Sequence, residues 1–171
     1  AGECGGMTAF VGKMNAKAAE LGLTDTHFDN PNGLPSDTHY TTAHELAKIT
    51  AAALKDPVFR QIVSTKSCTV SGHVLSNHNR LLSMYDGAIG VKTGYTRAAG
   101  RCLVSAAERN GRTIIAVTLN DPNDWNDHRE MLDAGFAQYS EVTLHKAGDT
   151  IANVRVFGGD TASVPLAAKN T

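Results

Sequence analysis

The dipeptide Asn110-Gly111 is the feature that most constrains how this chain of 171 residues can fold. Both central residues of a type I′ turn need positive φ, which Asn and Gly tolerate, so the pair predicts two antiparallel strands meeting in a tight hairpin. The flanking sequence agrees. Cys102-Leu103-Val104-Ser105-Ala106-Ala107 precedes the turn and Thr113-Ile114-Ile115-Ala116-Val117-Thr118-Leu119 follows it, both apolar runs of strand length. A third run, Ile89-Gly90-Val91-Lys92-Thr93-Gly94-Tyr95-Thr96, stands upstream across the turn Ala98-Ala99-Gly100. Three runs joined by short connections predict an antiparallel meander with the Ile89–Thr96 strand first and at an edge. Unpaired backbone groups on such an edge can accept an extended peptide as one more strand. Asp121-Pro122-Asn123-Asp124 breaks the sheet, and Met131, Leu132, Gly135, Phe136 and Tyr139 mark one face of a helix from about Asn126 to Tyr139, expected to pack across it.

Upstream, Met7, Phe10, Val11, Met14, Ala18 and Leu21 recur at helical spacing, and Gly22 supplies the stop. Leu23 to Tyr40 is dense in turn signals, among them Asn30-Pro31-Asn32-Gly33, and reads either as a functional loop or as a packed Ω-like one. Thr42-Ala43-His44-Glu45 has the capping-box spacing, in which the hydroxyl and the carboxylate satisfy each other's backbone donors. Leu46, Ile49, Ala53 and Leu54 continue that helix until Pro57 bounds it, and Val58 to Val63 adds one further turn. Ser67 to Leu75 reads as a small hairpin about Ser71-Gly72, followed by a polar connection, Ser76-Asn77-His78-Asn79-Arg80. Near the end, Thr150–Phe157 and Ser163–Leu166 flank Gly158-Gly159-Asp160 as a second hairpin, too short to bury a core of its own and expected to begin a β-rich domain.

Composition narrows the function classes. With 42% apolar residues the chain can bury one sizeable core, and a net charge of -1 without basic runs argues against a nucleic-acid or anionic-membrane partner. No apolar run approaches the roughly 20 residues that span a bilayer, and no export signal is visible at the N-terminus. Cys4, Cys68 and Cys102 are odd in number and widely spaced, which predicts free or buried thiols rather than a disulfide framework. The histidine pairs His39/His44 and His73/His78 lack Cys, Asp or Glu companions at ligand spacing, so no metal and no cofactor is expected.

Chemistry gathers on the first strand of the meander. Glycine inside a β-branched run marks a bulge or a close approach by a ligand or another backbone, and Lys92 and Thr93 sit where a ligand would lie. Lys92-Thr93-Gly94 by itself reads more readily as a lysine on a solvent edge beside a bulge. Its surroundings are more specific: Asn15-Ala16-Lys17-Ala18 with Leu21-Gly22-Leu23, Phe28-Asp29-Asn30-Pro31 with Gly33-Leu34, Tyr40-Thr41-Thr42-Ala43, Asn77-His78-Asn79-Arg80-Leu81-Leu82 and Gly90–Thr96. In these segments and their order, over residues 7 to 140, the chain resembles the serine D-alanyl-D-alanine carboxypeptidases, low-molecular-mass penicillin-binding proteins of the cell wall.

The resemblance implies an α+β fold, an antiparallel sheet packed with helices as in penicillin-binding proteins and β-lactamases. Residues 1–141 would be the C-terminal part of the catalytic domain and 142–171 the beginning of a β-rich domain. It implies location outside the cell or in the envelope, on the outer face of the cytoplasmic membrane. The substrate would be a peptidoglycan stem peptide ending in D-Ala-D-Ala, cleaved through an acyl-enzyme at which β-lactams are trapped. Lys92 would raise the local potential and help bind the terminal carboxylate, the Thr93 hydroxyl would donate to it, and Gly94 would leave room for the peptide. Tyr95 would offer its backbone N–H to an oxyanion hole, and Arg129 is a loose match to a second carboxylate partner that reads more readily as a surface arginine. The family's nucleophile is absent: no Ser in the chain is followed three positions later by Lys, and no Ser-x-Asn element occurs. Both precede the Met7 helix in family order, so an N-terminal portion of the catalytic domain is an expected partner, and the helices on the sheet's second face are expected to be missing. A non-catalytic cell-wall or protein-binding module on the same scaffold and a β-lactamase are the competing readings.

Overall fold

The computed structural model describes residues 2–139 and 142–169. Two compact units are present, Ala1–Gln138 and Tyr139–Thr171. In the first, a short 3₁₀ turn at Gly2–Cys4 leads into α1 (Met7–Glu20), followed by α2 (Ala43–Ala53), α3 (Pro57–Ser64), β1 (Ser67–Val70), β2 (His73–Ser76), the single turn α4 (Leu81–Met84), β3 (Ala88–Thr96), β4 (Gly100–Arg109), β5 (Arg112–Thr118) and α5 (Asp124–Gln138). The second unit contains one antiparallel hairpin, β6 (Thr150–Arg155) with β7 (Ser163–Ala167). Residues 140 and 141, where the sequence places a domain boundary, lie outside the described residues.

The meander forms as the turn chemistry requires. β3, β4 and β5 make one antiparallel sheet in that order, with β3 at one edge. Asn110 and Gly111 take φ values of 52° and 76°, and Arg109 pairs with Arg112 across them. Ser71 and Gly72, at 51° and 80°, close the smaller β1–β2 hairpin in the same manner. At the end of α1 the Leu23 N–H reaches the Ala18 carbonyl and the Gly22 N–H the Ala19 carbonyl, both 3.0 Å, which satisfies two carbonyls the helix would otherwise leave unpaired.

Alternation along the strands divides the core between the two faces of the sheet. Leu103, Ala107 and Ala116 join Leu81, Tyr85 and Leu132 on one face, with Ile114, Trp125 and Phe136 packed around them. There α5 covers β4 and β5, and it comes so close at Gly135 that a Cβ would lie 2.8 Å from Ile114 Cγ2. Val91, Val104 and Ala106 form a second cluster with Leu46 of α2, Leu54 just past its end, and Phe59 and Val63 of α3. The second face is therefore not bare of helices, contrary to the sequence expectation: α2 and α3 supply the apolar cover.

Two local expectations also change. Pro57 does not merely bound α2, which already ends at Ala53; it is the first residue of the two-turn helix α3, capped by Asp56, whose Oδ1 accepts the Val58 N–H at 2.7 Å and the Phe59 N–H at 3.2 Å. α5 starts two residues earlier than predicted, and Tyr139 lies beyond its end, 67% exposed, while Met131 faces outward at 38%. Cys4, Cys68 and Cys102 are free thiols, as their number and spacing predict, and none is buried.

Candidate active site

The first half of β3 is seated by a bulge. The pairing with β4 slips between Ala88 and Gly90, and Gly90 adopts a φ of 150°. A Cβ at Gly90 would lie 2.9 Å from Val63 Cγ2, so the glycine lets β3 lie directly on α3. From Val91 onward the register is regular: Lys92 faces Val104, Thr93 faces Leu103, Gly94 faces Cys102 and Tyr95 faces Arg101. The close approach expected of this glycine-containing run is thus met at Gly90 by the chain's own helix.

Beyond the bulge the strand is open. Lys92 is exposed, and its Nζ donates to the Thr93 carbonyl. Thr93 is half-buried, Gly94 is exposed, and the Tyr95 ring stands 72% exposed. A Cβ at Gly94 would meet nothing nearer than the Cys102 carbonyl oxygen at 3.8 Å and its Cβ at 3.9 Å, ordinary contacts. Lys92, Thr93, Gly94 and Tyr95 therefore lie together on a strand with no partner on its outer edge among the described residues.

The far end of β3 is braced from behind. Thr96 Oγ1 accepts the Ala99 N–H at 2.9 Å within the β3–β4 turn, and the Asp121 N–H donates to the Arg101 carbonyl at 2.9 Å. The Arg101 side chain reaches the start of α5, where Nε donates to Asp124 Oδ2 at 3.1 Å and Nη2 to Oδ1 at 2.6 Å. Asp124 is buried, and its carboxylate holds the Arg101 guanidinium above its ordinary pKa. Arg129, the cation proposed from sequence, lies on the same helix and is exposed, and among the described residues it makes no ion pair with β3.

A Ser–His pair does occur, in a place that rules it out as a nucleophile and its base. Ser105 Oγ lies 2.5 Å from His128 Nδ1, and Thr118 Oγ1 lies 3.0 Å from Nε2. Ser105 and His128 are both fully buried between the sheet and α5, so no substrate reaches them. Burial lowers the His128 pKa, and Asp124, Asp121 and Asp127 only partly oppose it. This cluster is not legible in the sequence, because its members are 10 and 23 residues apart.

The long loop is accounted for by local bonds. The Asn15 amide donates to the Phe28 carbonyl at 2.9 Å and accepts the Phe28 N–H at 2.8 Å, and His27 and Tyr40 exchange backbone bonds of 2.9 and 3.1 Å. Only half of the predicted capping box forms. Thr42 Oγ1 accepts the Glu45 N–H at 3.2 Å, but the Glu45 carboxylate turns to the loop and accepts the Thr24 and Asp25 N–H groups at 2.9 and 3.1 Å and the Thr26 hydroxyl. Burial works against the Glu45 charge, and these donors together outweigh it and hold the pKa below the usual value. An apolar groove of about 310 Å³, lined by Phe10, Met14, Leu21, Phe28 and Ile49 among others, runs along α1 and includes no residue of β3. Among the described residues no three His, Cys, Asp or Glu side chains gather where they could hold a metal ion, and no helix is long and apolar enough to cross a membrane.

Comparison with known proteins identifies the family. The D-alanyl-D-alanine carboxypeptidase family profile matches residues 3–123. D-alanyl-D-alanine carboxypeptidase DacF of Bacillus subtilis is 38% identical over 92% of this chain and 42% of its own length. DacB2 of Mycobacterium tuberculosis is 41% identical over 82% of this chain and 52% of its own. The crystal structure of the Streptomyces K15 DD-transpeptidase superposes with a TM-score of 0.72 at 40% identity, covering 76% of this chain and 55% of that one. The chain spans about half the length of the curated relatives it matches. Its helices and antiparallel sheet have the penicillin-binding protein and β-lactamase-like fold, and the chain belongs to the D-alanyl-D-alanine carboxypeptidase family.

Proposed function

We propose that this chain supplies the Lys-Thr-Gly wall of the active site of a serine D-Ala-D-Ala carboxypeptidase that trims peptidoglycan stem peptides in the cell envelope. The observation that carries the reading is the open edge of β3, where an exposed lysine, a threonine hydroxyl and a glycine with free space beside it stand in line within the family-matched region. An extended peptide fits such an edge as an added strand. The Lys92 ammonium and the Thr93 hydroxyl would bind the substrate's terminal carboxylate, and Gly94 would let the peptide backbone lie against the strand. The Tyr95 N–H would stabilise the oxyanion that forms when a serine attacks the penultimate D-Ala carbonyl. Collapse of that intermediate releases D-Ala and leaves an ester, which water hydrolyses. β-Lactams would stop at the same ester. Arg129 is the second carboxylate partner that the family resemblance offers.

The attacking serine comes from outside these 171 residues on this reading, since the chain has no Ser-x-x-Lys. Residues 1–141 would then be the C-terminal part of the catalytic domain, and 142–171 the beginning of a β-rich one. A fluorescent penicillin tests this. It is expected to label a protein that carries this chain together with a Ser-x-x-Lys segment, and to leave the chain alone unlabelled. Labelling of the isolated chain would place the nucleophile inside it. A longer protein that has the serine and still resists labelling would support the non-catalytic module instead.

A further inference from the structure

The geometry points to Arg101, not Arg129, as the second group that binds the substrate's terminal carboxylate beside Thr93, with Asp124 as the residue that positions it. This deepens the function proposed above and rests on it. Residues directly opposite in an antiparallel pair share a face, and residues two apart on one strand share it too. Thr93 faces Leu103 and Tyr95 faces Arg101, so Thr93 and Arg101 stand on the same face as diagonal neighbours. Diagonal Cβ atoms are separated by about 7 to 8 Å or somewhat less, which a guanidinium on three methylenes spans easily.

The Arg101 side chain is 43% exposed while that of its partner Asp124 is only 5% exposed, so the pair is anchored on the helix side and open on the other. Asp124 engages Nε and one hydrogen of Nη2. Arginine carries five N–H donors in a rigid fork, so Nη1 and the second Nη2 hydrogen remain for a ligand. Asp121 also lies close enough to act on the guanidinium, and the Trp125 ring centroid is 5.8 Å away. The surrounding carboxylates offset much of its charge. Arg101 therefore acts through oriented hydrogen bonds, and Lys92 contributes the net positive potential. Among the described residues Arg129 has no comparable anchor, and it lies on a helix that packs on β4 and β5 rather than on β3.

The test uses the longer protein that carries the nucleophile, a stem-peptide mimic ending in D-Ala-D-Ala, and the same peptide ending in a carboxamide. Wild type is expected to prefer the free acid. Arg101→Gln is expected to lower kcat/KM for the acid roughly 10- to 100-fold, mainly through KM, and to leave the amide nearly unchanged, the loss appropriate to one or two charge-assisted hydrogen bonds. Arg101→Lys should fall in between, and Asp124→Asn should also narrow the preference, because it frees the guanidinium to turn away. Gln at position 101 can still donate to Asp124, and a urea midpoint close to wild type verifies that the variant folds. An unchanged acid preference overturns the assignment. So does an equal loss on acid and amide, which would mark Arg101 as a structural brace, and so does a larger narrowing from Arg129→Ala. A wild-type protein that neither hydrolyses the acid nor is labelled by penicillin would refute the proposed function itself.

Discussion

Gly90 and Val63 are in direct contact: a Cβ on the glycine would sit 2.9 Å from Val63 Cγ2 and 3.2 Å from Val63 Cβ. This contact seats β3 on α3 just before Lys92. Gly90→Ala would have to push the two elements apart, in a backbone conformation that also disfavours a side chain. Overpacking of this kind costs about 1 to 3 kcal/mol. Urea denaturation should show a lower midpoint with an unchanged slope, and the paired variant Gly90→Ala with Val63→Ala should recover part of the loss.

Gly94 behaves oppositely. Among the described residues, its chain neighbours aside, nothing approaches closer than 3.8 Å to a Cβ built there, so Gly94→Ala should leave stability within about 1 kcal/mol. If a peptide lies against that position, the methyl group occupies its space. In the longer protein the variant should be acylated by penicillin at least about tenfold more slowly, a loss of about 1.4 kcal/mol or more in transition-state binding. Stopped-flow acylation reads this directly, and a rate equal to wild type would mean that the peptide does not pass over Gly94.

Lys92 is exposed and forms no ion pair among the described residues, so its removal should cost the fold little. Lys92→Ala in the longer protein should reduce acylation by carboxylate-bearing substrates and β-lactams by about 2 to 4 kcal/mol if the ammonium stabilises developing charge. The urea midpoint should stay close to wild type. Separate measurement of the two tells a site residue from a structural one.

The strands were legible because turn chemistry and alternation are local. Asn110-Gly111 set the meander, and Lys92, Thr93, Gly94 and Tyr95 fell on its edge strand as the sequence predicts. The contacts that support the edge were not legible. Glu45 had two sets of backbone donors within reach, and only the folded loop decides that it caps Thr24 and Asp25 instead of Thr42. An amphipathic helix shows that it covers something without showing what, so the packing of α2 and α3 against the second sheet face was missed. Arg101 reads in sequence as one surface cation among sixteen basic residues, and Asp124, 23 positions later, alone distinguishes it.

His128 should make the protein sensitive to mild acid. Its ring lies between the Ser105 and Thr118 hydroxyls, fully buried, and both nitrogens are used by the neutral form. Desolvation places its folded-state pKa below the ordinary 6.5, although Asp124, Asp121 and Asp127 pull the other way. The unfolded chain thus takes up the proton more readily than the folded one. The stability conferred by a neutral His128 is complete above pH 6.5 and declines as the pH falls below that value toward the folded pKa. Glu45 and Glu108 are held below their ordinary 4.5, so their contributions are lost only at lower pH. His128→Gln should cost about 1 to 3 kcal/mol near neutrality, because a buried hydroxyl loses its partner. It should also flatten the change in urea midpoint between about pH 7 and about pH 5, the interval in which histidine side chains change charge. A wild-type midpoint that does not move over that interval would show that His128 accepts its proton without loss.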